Sequence, residues 1–272
     1  MTMNNKTIAF IGAGNMAEAL IRGLLATKTV PSEKIIATDV RAERLQQLNQ
    51  EYGVRTASDN KAAVCQADVV VLAVKPQQMS AVLKGSGFRV QGSQLVISIA
   101  AGISTERIER ELGGQPRVVR AMPNTPALVG AGAAAVCAGK DATEEDLATA
   151  EMILSAVGIC VRVEESLMDA VTALSGSGPA YVFLVTEAMT AAGVKAGLNE
   201  ELARKLAVQT VRGTGQLLAT TGEKPEVLRQ KVTSPGGTTA AALKVMGERK
   251  LMEIFGEAIE AAARRSRELS GS

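Results

Sequence analysis

A chain of 272 residues with 46% apolar and 21% charged residues is long enough to bury one large or two medium cores. Its net charge of +2, with 2% aromatics and no tryptophan, excludes a basic stacking surface, so no nucleic-acid partner is expected. Histidine is absent, which removes the commonest general acid/base and metal ligand; no metal is expected, and any chemistry falls to hydroxyls, carboxylates, lysines or a cofactor.

In chain order, Lys6 to Ile11 reads as a strand. Gly12-Ala13-Gly14-Asn15-Met16-Ala17 and a helical pattern through Leu20, Ile21, Leu24 and Leu25 follow. A second strand, Lys34 to Thr38, ends at Asp39; helix is predicted from Arg41 to Tyr52, strand at Val54 to Thr56, and helix from Lys61 to Gln66. Val69 to Val74 is an unbroken apolar run, as in parallel strands buried on both faces. The alternation continues with a helix at Met79 to Leu83, a strand at Gln94 to Ile99, a helix at Ser104 to Leu112 and a strand at Arg117 to Ala121. Beyond Met122-Pro123-Asn124-Thr125-Pro126, strands at Gly132 to Ala138 and Ile159 to Val163 flank a helix at Glu144 to Val157. Such alternation predicts an α/β doubly wound parallel sheet of Rossmann type in a dinucleotide-binding domain over residues 1–164.

Residues 165–272 read as an all-helical domain. Helices are expected from Ser166 to Gly193 with an interruption at Gly176 to Pro179, from Asn199 to Thr220, after Pro225, from Thr238, and from Leu251 to the C-terminus. Pro179 to Ala192 is apolar over much of its circumference, which predicts an obligate homodimer built on these helices; a tightly packed monomeric bundle is the alternative. Cys65, Cys137 and Cys160 are too few and too scattered for a disulfide framework or zinc knuckle, and their apolar surroundings predict buried, inert thiols. No basic-then-apolar leader is present and no run approaches the ~18 apolar residues of a membrane span, so a cytoplasmic protein without membrane association is expected.

The glycine fingerprint follows a strand, precedes a helix, and lies the expected distance before an acidic residue, Asp39, at the end of the second strand. In that role Gly12 makes the tight turn, Gly14 admits the pyrophosphate, and Ala17 lets helix and strand pack closely. Asp39 suits ribose hydroxyls and NADH, whereas Arg41 and Arg44 suit a 2′-phosphate and NADPH or else form an exposed helix face. Ala73-Val74-Lys75-Pro76 and Ile99-Ala100-Ala101-Gly102 end strands at the carboxyl edge, where such sheets bind ligands; Lys75 is read as a positioning group rather than a catalytic amine. Ser234-Pro235-Gly236-Gly237-Thr238-Thr239 opens a helix with two glycines and two hydroxyls, which suits a small carboxylate or phosphate as well as an ordinary capped helix start.

Together these segments, with Phe10 to Met16, Ser98 to Gly102, Arg120 to Pro126 and Ser175-Gly176-Ser177-Gly178-Pro179-Ala180-Tyr181, resemble the Δ1-pyrroline-5-carboxylate reductases over nearly the whole chain. The resemblance implies reduction of a cyclic imine to L-proline, the last step of proline biosynthesis, with NADPH as cofactor and NADH as the other candidate. It implies cofactor contacts at Ile11, Gly12, Ala13, Gly14, Asn15, Met16, Asp39, Arg41, Asn60, Ala73, Val74, Lys75, Pro76, Ile99, Ala100 and Ala101. For a carboxylate-bearing substrate it implies Ser234, Gly237, Thr238 and Thr239, with Ser175, and with Glu165 toward the nicotinamide. Thr239 falls on the threonine that assists protonation of the ring nitrogen, and an imine protonated before attack needs no strong protein acid, in keeping with the missing histidine. Family members form dimers, often associated into decamers, in which the partner completes each active site. The role of Lys231, where many members differ, stays open. The rivals are another imine or β-hydroxyacid reductase of this architecture, and a non-catalytic nucleotide sensor.

Overall fold

A computed structural model describes residues 3, 5–85 and 89–270; the outermost ends of the two predicted domains and of the last predicted helix lie outside the described residues. The first unit contains β1 (Ile8–Ile11), α1 (Asn15–Ala26), β2 (Ile35–Thr38), α2 (Ala42–Tyr52), β3 (Arg55–Ala57), α3 (Asn60–Val64) and β4 (Val69–Leu72). These are followed by α4 (Met79–Leu83), β5 (Leu95–Ser98), α5 (Thr105–Leu112), β6 (Arg117–Met122), β7 (Gly132–Ala138), α6 (Glu144–Ser155) and β8 (Gly158–Arg162).

The eight strands form one sheet in the order β3-β2-β1-β4-β5-β6-β7-β8. The β6–β7 pair is antiparallel and the other pairings are parallel. Every residue of β1, β2, β4 and β5 is buried, which is why these segments read as unbroken apolar runs. The period of two separates two cores: Ile8, Phe10, Val69 and Val71 pack with α1, α2 and α6, and Ala9, Ile11, Val70 and Leu72 with α3, α4 and α5. Strand order reverses direction at the β1–β4 boundary, the switch point where a doubly wound sheet opens a crevice at its carboxyl edge.

The strand expected to reach Val74 stops at Leu72. Ala73 keeps one ladder bond, its N–H donating to Ile11 O at 2.8 Å, before Lys75 caps a 3-10 turn at Pro76–Gln78. Proline at the first position of that turn cannot continue a ladder.

The helix expected from Ser166 is broken into a 3-10 turn at Glu165–Leu167, the short α7 (Met168–Val171) and a π-helical turn at Thr172–Gly176. There Ser177 N–H reaches Thr172 O at 2.8 Å, and a side chain at Gly176 would strike the Met122 methyl. After it come α8 (Gly178–Lys195), α9 (Glu200–Thr221), α10 (Pro225–Lys231), α11 (Thr238–Glu248) and α12 (Leu251–Ser270). Contacts divide the chain into one unit of residues 1–177 with 262–272 and another of residues 178–261, so α12 begins in the second and ends in the first. Ser266 accordingly donates to Asp169 Oδ1 at 2.6 Å.

Within the second unit α8 has no buried residue, and Phe183 and Leu184 are 66% and 64% exposed. An apolar helix this uncovered in one chain is a surface made for association.

Of the three thiols expected inside, Cys137 is buried and Cys160 half-buried, but Cys65 is exposed. Ala63 and Val64 turn toward the sheet, so Cys65, capping the helix end, faces outward.

Candidate cofactor and substrate sites

A cavity of about 720 Å3 opens along the carboxyl ends of β1, β2, β3 and β4. Gly12 lines it with φ +95°, and a Cβ there would lie 2.9 Å from Ala73 O and 3.0 Å from Val74 Cγ1. Only glycine lets β1 turn so closely over the end of β4. Gly14 caps the twelve-residue α1 with extended angles and no side-chain hydrogen bond, leaving the amides of its first turn without intrahelical partners. Gly14 lines the cavity, and a Cβ on it would meet nothing within 4 Å. Open space over a helix N-terminus is what a diphosphate requires, and the volume suits a small-molecule site, so these residues fit a dinucleotide.

At one end stands Asp39, whose side chain is 9% exposed. Its Oδ1 accepts from Arg41 N at 3.0 Å and Arg41 Nε at 2.9 Å; its Oδ2 accepts from Arg41 Nη2 at 3.1 Å and Ala13 N at 3.0 Å. The Arg41 guanidinium pulls the carboxyl down to about 2 against a modest burial penalty, helped by both backbone donors. With four hydrogen bonds the carboxylate's lone pairs are filled.

Arg44 neither faces solvent nor lines the cavity. Its side chain is 12% exposed, pairs with Glu18, and donates through Nε to Ala13 O at 2.8 Å. Tyr52 Oη also donates to Glu18, at 2.9 Å. Burial raises Glu18, but hydrogen bonds from Arg44 and Tyr52 outweigh it and the carboxyl ends below its ordinary value. Arg44 therefore stiffens the glycine turn from beneath.

Ile11, Asn60, Ala73, Val74 and Lys75 also line the cavity, and Asn60 Oδ1 accepts from Thr38 Oγ1 at 2.7 Å. Ala13, Asn15, Met16, Pro76, Ile99, Ala100 and Ala101 do not line it. Ala13 is fully buried with its N–H on Asp39, and Ile99 continues the ladder by donating to Leu72 O at 3.1 Å. Ser58, Asp59, Lys61 and Gln78 are lining residues that sequence reasoning missed. The parallel pairing of β3 beside β2 was the available signal, because it carries Ser58 to the same edge as Asp39.

Two of the predicted substrate residues tie the sheet unit together. Glu165 accepts from Thr105 N at 2.8 Å, from the Thr105 hydroxyl, and from Arg120 Nη1 at 3.2 Å. Ser175 accepts from Asn124 Nδ2 at 3.2 Å through both its hydroxyl and its carbonyl, while Asn124 Oδ1 accepts from Ala133 N at 2.9 Å.

In the helical unit, Ser234 O accepts from Gly237 N at 3.0 Å across a turn in which Gly236 has φ +70°. Gly237 caps α11, so Thr238 and Thr239 are its first two residues. The turn thus presents first-turn amides and two hydroxyls side by side, a cradle for a carboxylate. Lys231 is paired with Glu223 at 2.5 Å. Among the described residues no group of acidic residues or cysteines is placed to hold a metal ion, and no helix is long and apolar enough to cross a membrane.

Residues 165–269 match the model for pyrroline-5-carboxylate reductase dimerisation, and residues 7–102 match that for NADP oxidoreductase, coenzyme F420-dependent. The pyrroline-5-carboxylate reductase of Synechocystis is 47% identical over 262 residues, 96% of this chain and 97% of that one. The chain belongs to the pyrroline-5-carboxylate reductase family.

Two solved members of the family share the fold. The Coxiella burnetii pyrroline-5-carboxylate reductase has a TM-score of 0.92 at 42% identity, covering 98% of this chain and 99% of that one. The Plasmodium falciparum pyrroline carboxylate reductase, solved with NADP bound, has a TM-score of 0.87 at 31% identity over the same shares. The helical part of the chain is accordingly a self-association domain of this family.

Proposed function

We propose that the chain reduces L-1-pyrroline-5-carboxylate to L-proline by hydride transfer from NADPH, the last step of proline biosynthesis. The observation that carries this reading is the end-to-end match: both the cofactor half and the helical half align with reductases acting on this imine, at 47% identity in the Synechocystis relative. NADP in the Plasmodium relative, and an Asp39 carboxylate already filled by Arg41 and Ala13, support NADPH over NADH.

A reduced nicotinamide supplies the hydride. Ile11 to Met16 would hold the diphosphate at the α1 amides, and Asp39, Arg41 and Asn60, which line the same cavity, would take the ribose end. Lys75, beside the turn locked by Pro76, would position the cofactor together with Ala73 and Val74, all three lining the cavity; Ile99 to Ala101, which follow β5 outside that lining, are assigned to the cofactor by the family resemblance alone. Gly237, Thr238 and Ser234 take the substrate carboxylate, and the Thr239 hydroxyl hydrogen-bonds the ring nitrogen. As the imine carbon gains hydride, that nitrogen keeps a proton delivered through Thr239 and water, so charge never has to rest on a strong protein acid. Glu165 and Ser175, bound to Thr105, Arg120 and Asn124, hold the start of the helical domain, 165–272, against the sheet.

The working form is an obligate homodimer, with decamers as the higher assembly, in the cytoplasm; the uncovered face of α8 supports self-association. NADPH oxidation with pyrroline-5-carboxylate, set against NADP reduction with β-hydroxyacids, tests the activity. Thr239→Ala should cut kcat by about 100-fold with NADPH affinity unchanged. Absence of imine turnover in the wild-type chain would overturn the function, and collapse of cofactor binding in the variant would overturn the role of Thr239.

A further inference from the structure

The ribose end of the cofactor cavity is lined by Asp39, Arg41, Ser58, Asp59, Asn60 and Lys61, delivered by the parallel pair β2 and β3. Two acids and two bases give it a formal charge of zero, but the four charges are not equally engaged. Arg41 is committed to Asp39 by two guanidinium hydrogen bonds and its own N–H. Drawing Arg41 onto a phosphate would strip the 9%-exposed Asp39 carboxylate of its partner and leave that anion facing the same phosphate. Asp59 is turned to its own backbone, its Oδ1 accepting from Lys61 N at 3.0 Å. The exposed Lys61 ammonium makes no ion pair or hydrogen bond among the described residues.

Resting on the cofactor assignment above, we infer that Lys61 is the residue that reads the 2′-phosphate of NADPH and sets its preference over NADH. A phosphomonoester brings a charge of about −1.5 to −2 and demands an uncompensated cation. Lys61 meets that demand without breaking a contact, on a flexible stem at a position that lines the cavity. Removing it takes this end from zero to −1, with Asp59 left as repulsion against the phosphate. NADH carries an uncharged hydroxyl there and loses no ion pair. Arg41 has the complementary role of screening Asp39, whose ribose-binding lone pairs it fills.

The test is direct titration of NADPH and NADH into the wild type, Lys61→Ala, Lys61→Arg and Arg41→Ala, read by nucleotide fluorescence without imine. Lys61→Ala should weaken NADPH about tenfold or more and leave NADH within about twofold, Lys61→Arg should restore NADPH, and the NADPH/NADH ratio should lose most of its salt dependence. Arg41→Ala should instead tighten NADH by exposing Asp39. Lys61→Ala acting on both nucleotides alike, or on neither, overturns the inference, as does loss of discrimination in Arg41→Ala alone. NADH affinity reports that each variant cavity is folded, and Lys61→Gln serves as a second neutral variant. Because no imine is present, a chain that discriminates through Lys61 but fails to reduce pyrroline-5-carboxylate would overturn the substrate and leave Lys61 standing.

Discussion

Gly12→Ala and Gly14→Ala add the same methyl group to neighbouring positions of one turn, and the structure predicts opposite consequences. At Gly12 the backbone has φ +95°, which costs an L-residue about 1–3 kcal/mol. The new Cβ would also sit 2.9 Å from Ala73 O, a backbone atom at the end of a buried strand that cannot swing away. Forced repacking of that kind adds about 1–3 kcal/mol, for a total near 2–6 kcal/mol. At a urea slope of about 2–3 kcal/mol/M, the sheet unit should unfold about 1–3 M earlier. Gly14 has φ −71° and ψ 179°, open to any residue, and its Cβ would touch nothing within 4 Å. There the poorer cap and the stiffer unfolded chain nearly offset, so stability should stay within about 0.5 kcal/mol. The methyl would occupy the place a diphosphate needs, and NADPH affinity should fall at least about tenfold. Urea titration followed by circular dichroism, paired with nucleotide titration, reads both. Equal unfolding midpoints for Gly12→Ala and wild type, or a Gly14→Ala loss of stability matching that of Gly12→Ala, would refute the assignment of turn and cradle.

Glu165→Gln should destabilise the sheet unit by about 2–3 kcal/mol, because Arg120, 4% exposed and with Nη2 already unpartnered, loses its carboxylate. Adding Arg120→Met should recover part of that loss in thermal melts, and no recovery would mean the pair is not coupled. Thiol titration of the native chain with an aromatic disulfide should label Cys65 alone. Burial pushes Cys137 up to about 12 and Cys160 up to about 11, so both should react only on unfolding, and rapid labelling of either in the native state would contradict their placement. The Asp39 carboxyl is depressed from 3.8 to about 2, so its pairing with Arg41 stabilises the fold fully above pH ~4 and is lost as pH falls toward 2. The stability gap between wild type and Asp39→Asn should therefore narrow between pH 6 and pH 3. With Arg41 59% exposed and screened by solvent, the change should be about 1 kcal/mol or less; a pH-independent gap would refute the ion pair.

The fingerprint at Gly12 to Ala17, the alternation of strands and helices, and the glycine-threonine turn before α11 were legible in the sequence because each is a local device. Backbone angles, hydrophobic period and helix caps are written within a few consecutive residues. Where the chain leaves an element was less legible: the apolar run at Val69 to Val74 carries no mark that β4 stops at Leu72, and Ser166 to Gly176 reads as one helix although the chain there forms a π turn with Gly176 close against Met122. Those outcomes depend on neighbours distant in sequence.

The side-chain partnerships were decided by tertiary structure alone. As sequence, Asp39, Arg41 and Arg44 are three charges that serve either nucleotide; folded, Arg41 closes Asp39, Arg44 disappears beneath the glycine turn onto Glu18, and Lys61, in the first turn of α3, lines the same end without an ion pair. Sequence determined which backbone would bind a dinucleotide, because a helix N-terminus and two glycines make that site wherever they occur. Which charge is left available at this edge was decided only when parallel pairing of β2 and β3 brought residues some twenty positions apart together, where each ion's availability depends on the partner that packing has given it.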